Sequence, residues 1–288
     1  MSRWHALPSR FVPLQVEALE DRCVPSSAEY VTALYGDILH RAPGPAEVAG
    51  WVAVLNAGTS PEQLALAFTT SSEYQANTIR ADYEMFLGRQ PAPAELAGWL
   101  GQAQAGLGQK QVEATFLASD EFFARHKSNP SSWLEGVYHD VLGRGVDPGG
   151  LRAWTQSLQA GATRNAVALA IVDSSEADTR LVTGAYHELL ERNPDPPGLS
   201  NSVAALGRGL SPSQLLAILA GSEEYIALTA HGALDVVPQP VPVVVPTEVF
   251  VSDPFLFDPF LVDPFAFESD GFDSFDFGGF DGGDCGCD

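Results

Sequence analysis

Arg41, Arg89, Arg144 and Arg192 recur in register along the chain, and so do Glu73, Glu121, Glu176 and Glu224. Guanidinium groups with free donors would make anion sites. Matched to carboxylates, they would make structural ion pairs. Each Arg falls where a helical pattern ends, and there a cation meets free carbonyls and the negative end of the helix dipole. The pattern therefore favours an ion pair, Arg41 with Glu73 and its equivalents, combined with helix-end capping. Trp51, Trp99 and Trp154 also recur and could stack sugars, but their place in an apolar stripe favours core packing. His139 and His187 each precede an acid. A zinc site or general base needs convergent partners, and neither HExxH nor a second His at i+4 accompanies them, so they read as exposed helix residues. No G-x-S-x-G string or phosphate loop appears, so no hydrolytic constellation supports an enzyme.

The elements that must position these residues come from an internal repeat. YGDILHR at 35–41 returns as YEMFLGR at 83–89, YHDVLGR at 138–144 and YHELLER at 186–192, at offsets of 48, 55 and 48 residues. Such a period means stacked supersecondary units. Each heptad sits on a stripe of apolar residues at i, i+3, i+4, i+7 and i+8, as in Val31, Leu34, Tyr35, Ile38 and Leu39. The counterparts of Tyr35 are Tyr83, Tyr138 and Tyr186; the second unit alone places Asp82 on its stripe. A proline suited to the first position of a second helix follows at 45, 93, 148 and 196, with Asp147 and Asp195 as N-caps in two units. That helix carries the Trp in three units and Ser202 in the fourth. Gly58, Gly106, Gly161 and Gly209 then suit a left-handed C-cap. A third helix runs to Ser71, Ser119, Ser174 and Ser222, each an N-cap two residues before the recurrent Glu. The longer middle interval holds seven extra residues around 123–132, where Pro130 breaks any helix.

Composition bounds the rest. All 15 Lys and Arg lie before residue 232, together with 25 of the 37 acids; the last 57 residues hold 12 acids and no base. An acidic chain without a basic patch is a poor nucleic-acid binder. No run of 18 apolar residues exists, so no transmembrane segment is expected. Residues 231–248 form a Pro/Val-rich linker, and 249–288 an acidic, Phe-rich tail with DPF three times, expected to be disordered. Asp270, Asp273, Asp276, Asp281 and Asp284 could collect calcium weakly, but they lack EF-hand spacing, and solubilising charge is the simpler reading. Cys285 and Cys287 could crosslink in an oxidising compartment. No other cofactor is implied.

The landmarks R-x-x-x-P, W, G and S-x-E-[YF] resemble the bacterial repeat family known as domain of unknown function 4214, in four copies over about 200 residues. The resemblance implies a helical protein, often secreted or on a cell surface, and carries no established activity. Residues 1–27 form a leader or targeting segment. Its LEALEDRCVPS string resembles the N-terminal leader of exported proteins of planctomycete bacteria, which implies export or envelope sorting. The expectation is an all-α helical repeat array of four units of about three helices. Repeats 1 and 2 span 28–126, and repeats 3 and 4 span 127–230. The leader and tail are disordered. The expected function is a non-catalytic exported or cell-surface module that holds an unidentified protein or envelope component. The alternative is a carbohydrate-binding surface protein. Nothing in the sequence sets the oligomeric state.

Overall fold

The computed structural model describes residues 26–229. The expectations for the bulk of the leader, for the linker and for the tail lie outside them. The described residues are all-α, with fourteen α-helices and no strand.

Unit 1 runs through α1 (Ser27–Leu39), α2 (Pro45–Asn56) and α3 (Pro61–Thr69). Ser26 caps α1, accepting from the Glu29 amide at 3.2 Å while Glu29 accepts from the Ser26 amide at 2.8 Å, a capping box. Prolines stand at the first position of α2 and α3, where a missing N–H costs nothing. The next helix, α4 (Ser72–Asp82), starts at the Ser71 cap and continues without a break into a π turn, Tyr83–Leu87. The helix opened by Ser-x-Glu is thus also the first helix of unit 2. Unit 2 goes on through α5 (Pro93–Gln104), α6 (Gln109–Ala118) and the short α7 (Asp120–Arg125).

The seven extra residues do their work at this junction. The backbone turns left-handed at Lys127 and Ser128, Asn129 caps the new helix, and Pro130 is its first residue. What is one helix at the other junctions becomes two, α7 and α8 (Pro130–Val137), the latter again running into a π turn, Tyr138–Leu142. Unit 3 continues with α9 (Pro148–Gln159), α10 (Arg164–Val172) and the long α11 (Ser175–Leu190). Unit 4 shares α11 and adds α12 (Pro196–Leu206), α13 (Pro212–Ala220) and α14 (Glu223–Thr229).

In an open solenoid, each repeat would touch only its sequence neighbours. Here the first unit also meets the fourth. The two most extensive helix contacts are α3 on α13 and α6 on α10, both antiparallel, and α1 packs against α14. The expected grouping followed chain order, 1 with 2 and 3 with 4; the third helices instead pair 1 with 4 and 2 with 3. Most stripe residues are buried, from Leu34 and Tyr35 in unit 1 to Tyr186 and Leu190 in unit 4, while Leu142 is partly buried. Burying one such side chain contributes ~1.5–3 kcal/mol. Units 2 and 3 share a core that gathers Phe86, Phe116, Phe122, Trp133 and Ile171.

Two points relate the pairs directly. Tyr30 Oη donates to the Ala220 carbonyl at the end of α13, at 3.1 Å. Trp133, the residue two units on from Tyr30, donates its indole N–H to the Leu117 carbonyl near the end of α6, at 2.7 Å. The two halves of the fold thus repeat one arrangement, each position matching that two units away.

Candidate functional site

The sequence signature converges on one cluster, built four times around an arginine. The first helix of each unit ends in a left-handed residue, His40, Gly88, Gly143 or Glu191. The next residue is the Arg. Its amide donates back to the Tyr carbonyl in three units, at 3.2 Å for Arg41 and 3.5 Å for Arg89 and Arg192. The bond spans six residues and so closes a turn one residue wider than a Schellman cap. The turn brings each guanidinium over the ring of the Tyr six residues earlier: Arg41 over Tyr35 at 4.6 Å, Arg89 over Tyr83 at 4.9 Å, Arg144 over Tyr138 at 5.1 Å, Arg192 over Tyr186 at 5.2 Å. The ring quadrupole attracts the cation in this geometry.

Each Arg then meets the glutamate 32 residues later, in a two-point grip. Arg41 Nε and Nη2 donate to the two Glu73 oxygens at 2.5 and 3.0 Å. Arg89 holds Glu121 at 2.7 and 3.0 Å, and Arg144 holds Glu176 at 2.5 and 2.8 Å. Arg192 grips Glu224 in the same way, and this pair is the most enclosed, with side chains 19% and 11% exposed. The Ser caps explain why the glutamates are in reach. Ser71 and its equivalents start a helix whose second residue is the Glu, so the carboxylate lies in the first turn, facing the arginine.

A second carboxylate joins in units 1 and 2. Arg41 also donates to Glu47 at 2.7 and 3.0 Å, and Arg89 to Glu95 at 2.8 and 2.9 Å. Each of these glutamates also accepts from an amide at the start of its helix, Gly44 at 2.6 Å and Ala92 at 2.7 Å. Gly44 and Ala92 lack a capping side chain, and the glutamate three residues on supplies the missing acceptor. Units 3 and 4 use the other solution. There Asp147 accepts from the Gly149 and Gly150 amides, and Asp195 from the Gly198 amide. The spacing of Glu47 and Glu95, three after the cap and six after the Arg, was the available sequence signal for them.

The electrostatics follow from these contacts. The bond from Arg41 holds Glu47 down to about 2, and the bond from Arg89, with the Ala92 amide, does the same for Glu95. Glu121 and Glu176 are lowered by their arginines, and the backbone amides of Gly150 and Gly149 lower Asp147. All four guanidinium groups are raised still higher by their carboxylates. Their remaining Nη1 donors reach the carbonyls of Ala42, Gln90, Gly145 and Asn193. The cluster thus joins three helices by charge-assisted bonds, and in units 1 and 2 two carboxylates and a backbone carbonyl already take the edges of the guanidinium.

The tryptophans belong to the same cluster. Trp51, Trp99 and Trp154 donate their indole N–H to the Oη of Tyr35, Tyr83 and Tyr138 at 3.1, 3.0 and 2.8 Å. Trp51 is buried; Trp99 and Trp154 are half-buried. Phe68 and Phe116 lie against the Trp51 and Trp99 rings at centroid distances of 5.1 and 4.7 Å. In unit 4, Ser202 stands in place of the Trp, and neither its Oγ nor the buried Tyr186 Oη reaches a hydrogen-bond partner. Gly58, Gly106, Gly161 and Gly209 close the second helices at φ of 103°, 98°, 100° and 104°, where a Cβ would be strained. His139 and His187 are exposed, and among the described residues no group of three His, Cys, Asp or Glu could hold a metal ion. None of the described helices is long and apolar enough to cross a membrane.

Two buried charge clusters escaped the sequence reading. Lys110 on α6 pairs with Asp173 at 2.8 Å and with the buried Asp178 at 2.7 Å, joining units 2 and 3. Asp82 on α4 and Glu113 on α6 form the other, and both carboxyls are raised by loss of water around them, Glu113 to about 7.

With this geometry in view, comparison with known proteins yields one result. Residues 17–78 and 113–181 match the family model described as "Domain of unknown function (DUF4214)". The DUF4214 domain is thus present in two segments, consistent with repeats. The segments cover unit 1 and the end of unit 2 with unit 3. No curated protein and no solved structure matches the chain.

Proposed function

We propose that this protein is a non-catalytic helical module that is exported or displayed at the cell surface and holds a partner protein or envelope component. One observation carries the reading. The residues that recur with most chemical potential, four Arg, four Glu, four Tyr and three Trp, are used on one another, in two-point ion pairs, stacks and Trp–Tyr bonds. A reaction centre needs groups with unmet donors or acceptors aimed at one point. Here the signature serves to hold helix ends together, so it supports a scaffold whose working surface lies elsewhere. Export rests on the leader-like string alone.

The test is surface shaving of intact cells, with mass spectrometry of the released peptides and of the mature N-terminus. Peptides from 28–230 without the leader are the expected outcome. An intact leader on a protease-protected protein would overturn the surface assignment and move the partner search inside the cell. Arg89→Ala separately tests the scaffold role: a lower melting temperature with unchanged partner binding is expected. Unchanged stability would remove the structural role.

A further inference from the structure

A cleft of about 160 Å³ opens between α4, the end of α5, the start of α6 and the start of α13. Ile79, Leu107 and Val112 give it apolar walls, and Tyr74, Gln75, Asp82 and Ser213 give it polar ones. The volume is well above the ~10–15 Å³ that admits a water. Two acceptors in it are unmet. Gln75 Oε1 is buried without a hydrogen-bond partner. Asp82 has neither a hydrogen bond nor an ion pair among the described residues, and burial with the neighbouring Glu113 drives its carboxyl well above the usual range.

The internal repeat shows what such a corner is built to hold. Two units away, Gln75 corresponds to Asp178, Ser213 to Lys110, and Asp82 to Ala185. In that second corner, the Lys110 ammonium reaches across from α6 to Asp178 at 2.7 Å, with only 16% of the lysine side chain exposed. In the first corner, Ser213 replaces the lysine and leaves its space open. Gln75 keeps one acceptor oxygen where Asp178 had a carboxylate, and Asp82 supplies the negative charge from two turns of helix further on, at a position where units 1, 3 and 4 carry Leu34, Val137 and Ala185. Thr78 keeps the cleft open, because its counterparts Tyr30 and Trp133 fill that position with rings.

We propose that this cleft binds a primary alkylammonium group, presented by a lysine of a partner chain or by a free alkylamine, with Asp82 and Gln75 Oε1 as its acceptors and Ile79, Leu107 and Val112 around its methylenes. The incoming amine does between molecules what Lys110 does within this one. The inference is independent of the surface reading, since a module could hold its partner by another face and leave this cleft unused.

The experiment titrates n-butylammonium chloride into the labelled full chain, following the Asp82 carboxyl carbon and the Gln75 side-chain amide by NMR. Tetramethylammonium chloride at the same concentration is the control for charge without N–H donors. Saturable shifts with butylammonium alone are expected, together with a fall in the Asp82 apparent pKa. Glu113 from α6 and Tyr74 from α4 are the titratable groups nearest Asp82, and Lys110 stands behind Glu113. Their signals must therefore be followed too. Asp82→Asn should weaken binding about tenfold or more, the loss of one charge-assisted bond. Ser213→Lys should abolish binding, by filling the cleft from within, and should raise the melting temperature. Equal shifts with tetramethylammonium, no fall in the Asp82 pKa, or unchanged binding in either variant would overturn the proposal. Nα-acetyl-lysine methylamide binding more tightly than butylammonium assigns the site to a partner's lysine; the reverse order assigns it to a free amine.

Discussion

The two antiparallel crossings, α3 on α13 and α6 on α10, occupy matching places in the fold but are held by different means. At the first, Gly221 lies so close to the start of α3 that a Cβ on it would stand 2.4 Å from Glu62 Cα and 2.7 Å from Glu62 N. Tyr30 Oη ties the same ends together by donating to both Pro61 and Ala220 carbonyls, at 2.9 and 3.1 Å. At the second crossing, the position matching Gly221 is Ala118, and the closure is ionic. Lys110 holds Asp173 and Asp178, and Arg164 on α10 pairs with Asp120. One crossing is fastened by backbone proximity, the other by buried charge. The same helical stripe serves both, so the stripe sets which faces meet, and a few positions at the helix ends set how they are closed.

The largest expected effect breaks the ionic crossing. Lys110→Ala leaves Asp178, 3% exposed, as a buried carboxylate without its cation. Removing one partner of such a pair costs about 3–5 kcal/mol. Chemical denaturation should show that loss, and Lys110→Ala with Asp178→Ala should recover part of it. Losses in Lys110→Ala and Asp178→Ala that simply add in the double variant would mean that the pair contributes nothing as a pair.

The counterpart at the other crossing is Gly221→Ala. Its methyl group meets backbone rather than a flexible side chain, so helices must separate, at a cost of about 1–3 kcal/mol. Gly207→Ala is the control, since its Cβ would meet nothing nearer than 3.6 Å. Comparable effects in the two variants would show that the close approach at Gly221 is not what the substitution tests.

A smaller change compares the matched aromatic ties. Trp133→Phe keeps a ring in the core and deletes the donor to the Leu117 carbonyl. Tyr30→Phe deletes the donor to Ala220 and Pro61. Each loses a hydrogen bond, ~0.5–1.5 kcal/mol net, and Trp133→Phe adds a volume loss. Similar denaturation midpoints for the two hydroxyl- and indole-dependent ties would extend the equivalence of the halves to energetics; a null effect at one of them would restrict it to geometry.

Much of this was legible in the sequence because it depends on local order. The stripes, the prolines at first helical positions, the Ser caps and the positive-φ glycines each concern residues within one turn of each other, so spacing reveals them. The pairing of Arg41 with Glu73 could be expected too, since repetition four times implies a shared partner. The closure of unit 1 on unit 4 was not legible, because it depends on the summed angles of every turn between them. Asp82 could be seen to break its stripe, but its lack of a partner depends on Ser213, which arrives from the far end of the chain. Glu47 and Glu95 read as ordinary first-turn acids until the left-handed turn at the end of the preceding helix aimed an arginine at them. The π turns at Tyr83 and Tyr138 had no sequence sign either, since the same heptad stays α-helical in α1 and α11.

The finest comparison sets the carboxyls held low against those held high, and pH separates them. Glu47 has its proton affinity lowered by Arg41, so its contribution is present above the unfolded carboxylate range near 4 and is lost as pH falls toward about 2. Glu113 is the opposite case. Burial raises it to about 7, with Lys110 opposing. The folded chain therefore keeps this proton where the unfolded chain has released it, and the stability so gained is present below pH ~4 and lost as pH rises through about 7. Asp82 acts in the same direction. Stability should peak at mildly acidic pH and decline by ~1 kcal/mol between pH 5 and pH 8, a discounted share of the ~1.4 kcal/mol that each pKa unit represents, since the partly buried Glu113 side chain still reaches water. Urea midpoints at the two pH values measure the decline, and Glu113→Gln should flatten it while the acid limb persists. The difference between the two curves isolates the contribution of Glu113. An unchanged decline in Glu113→Gln would place its origin elsewhere in the fold.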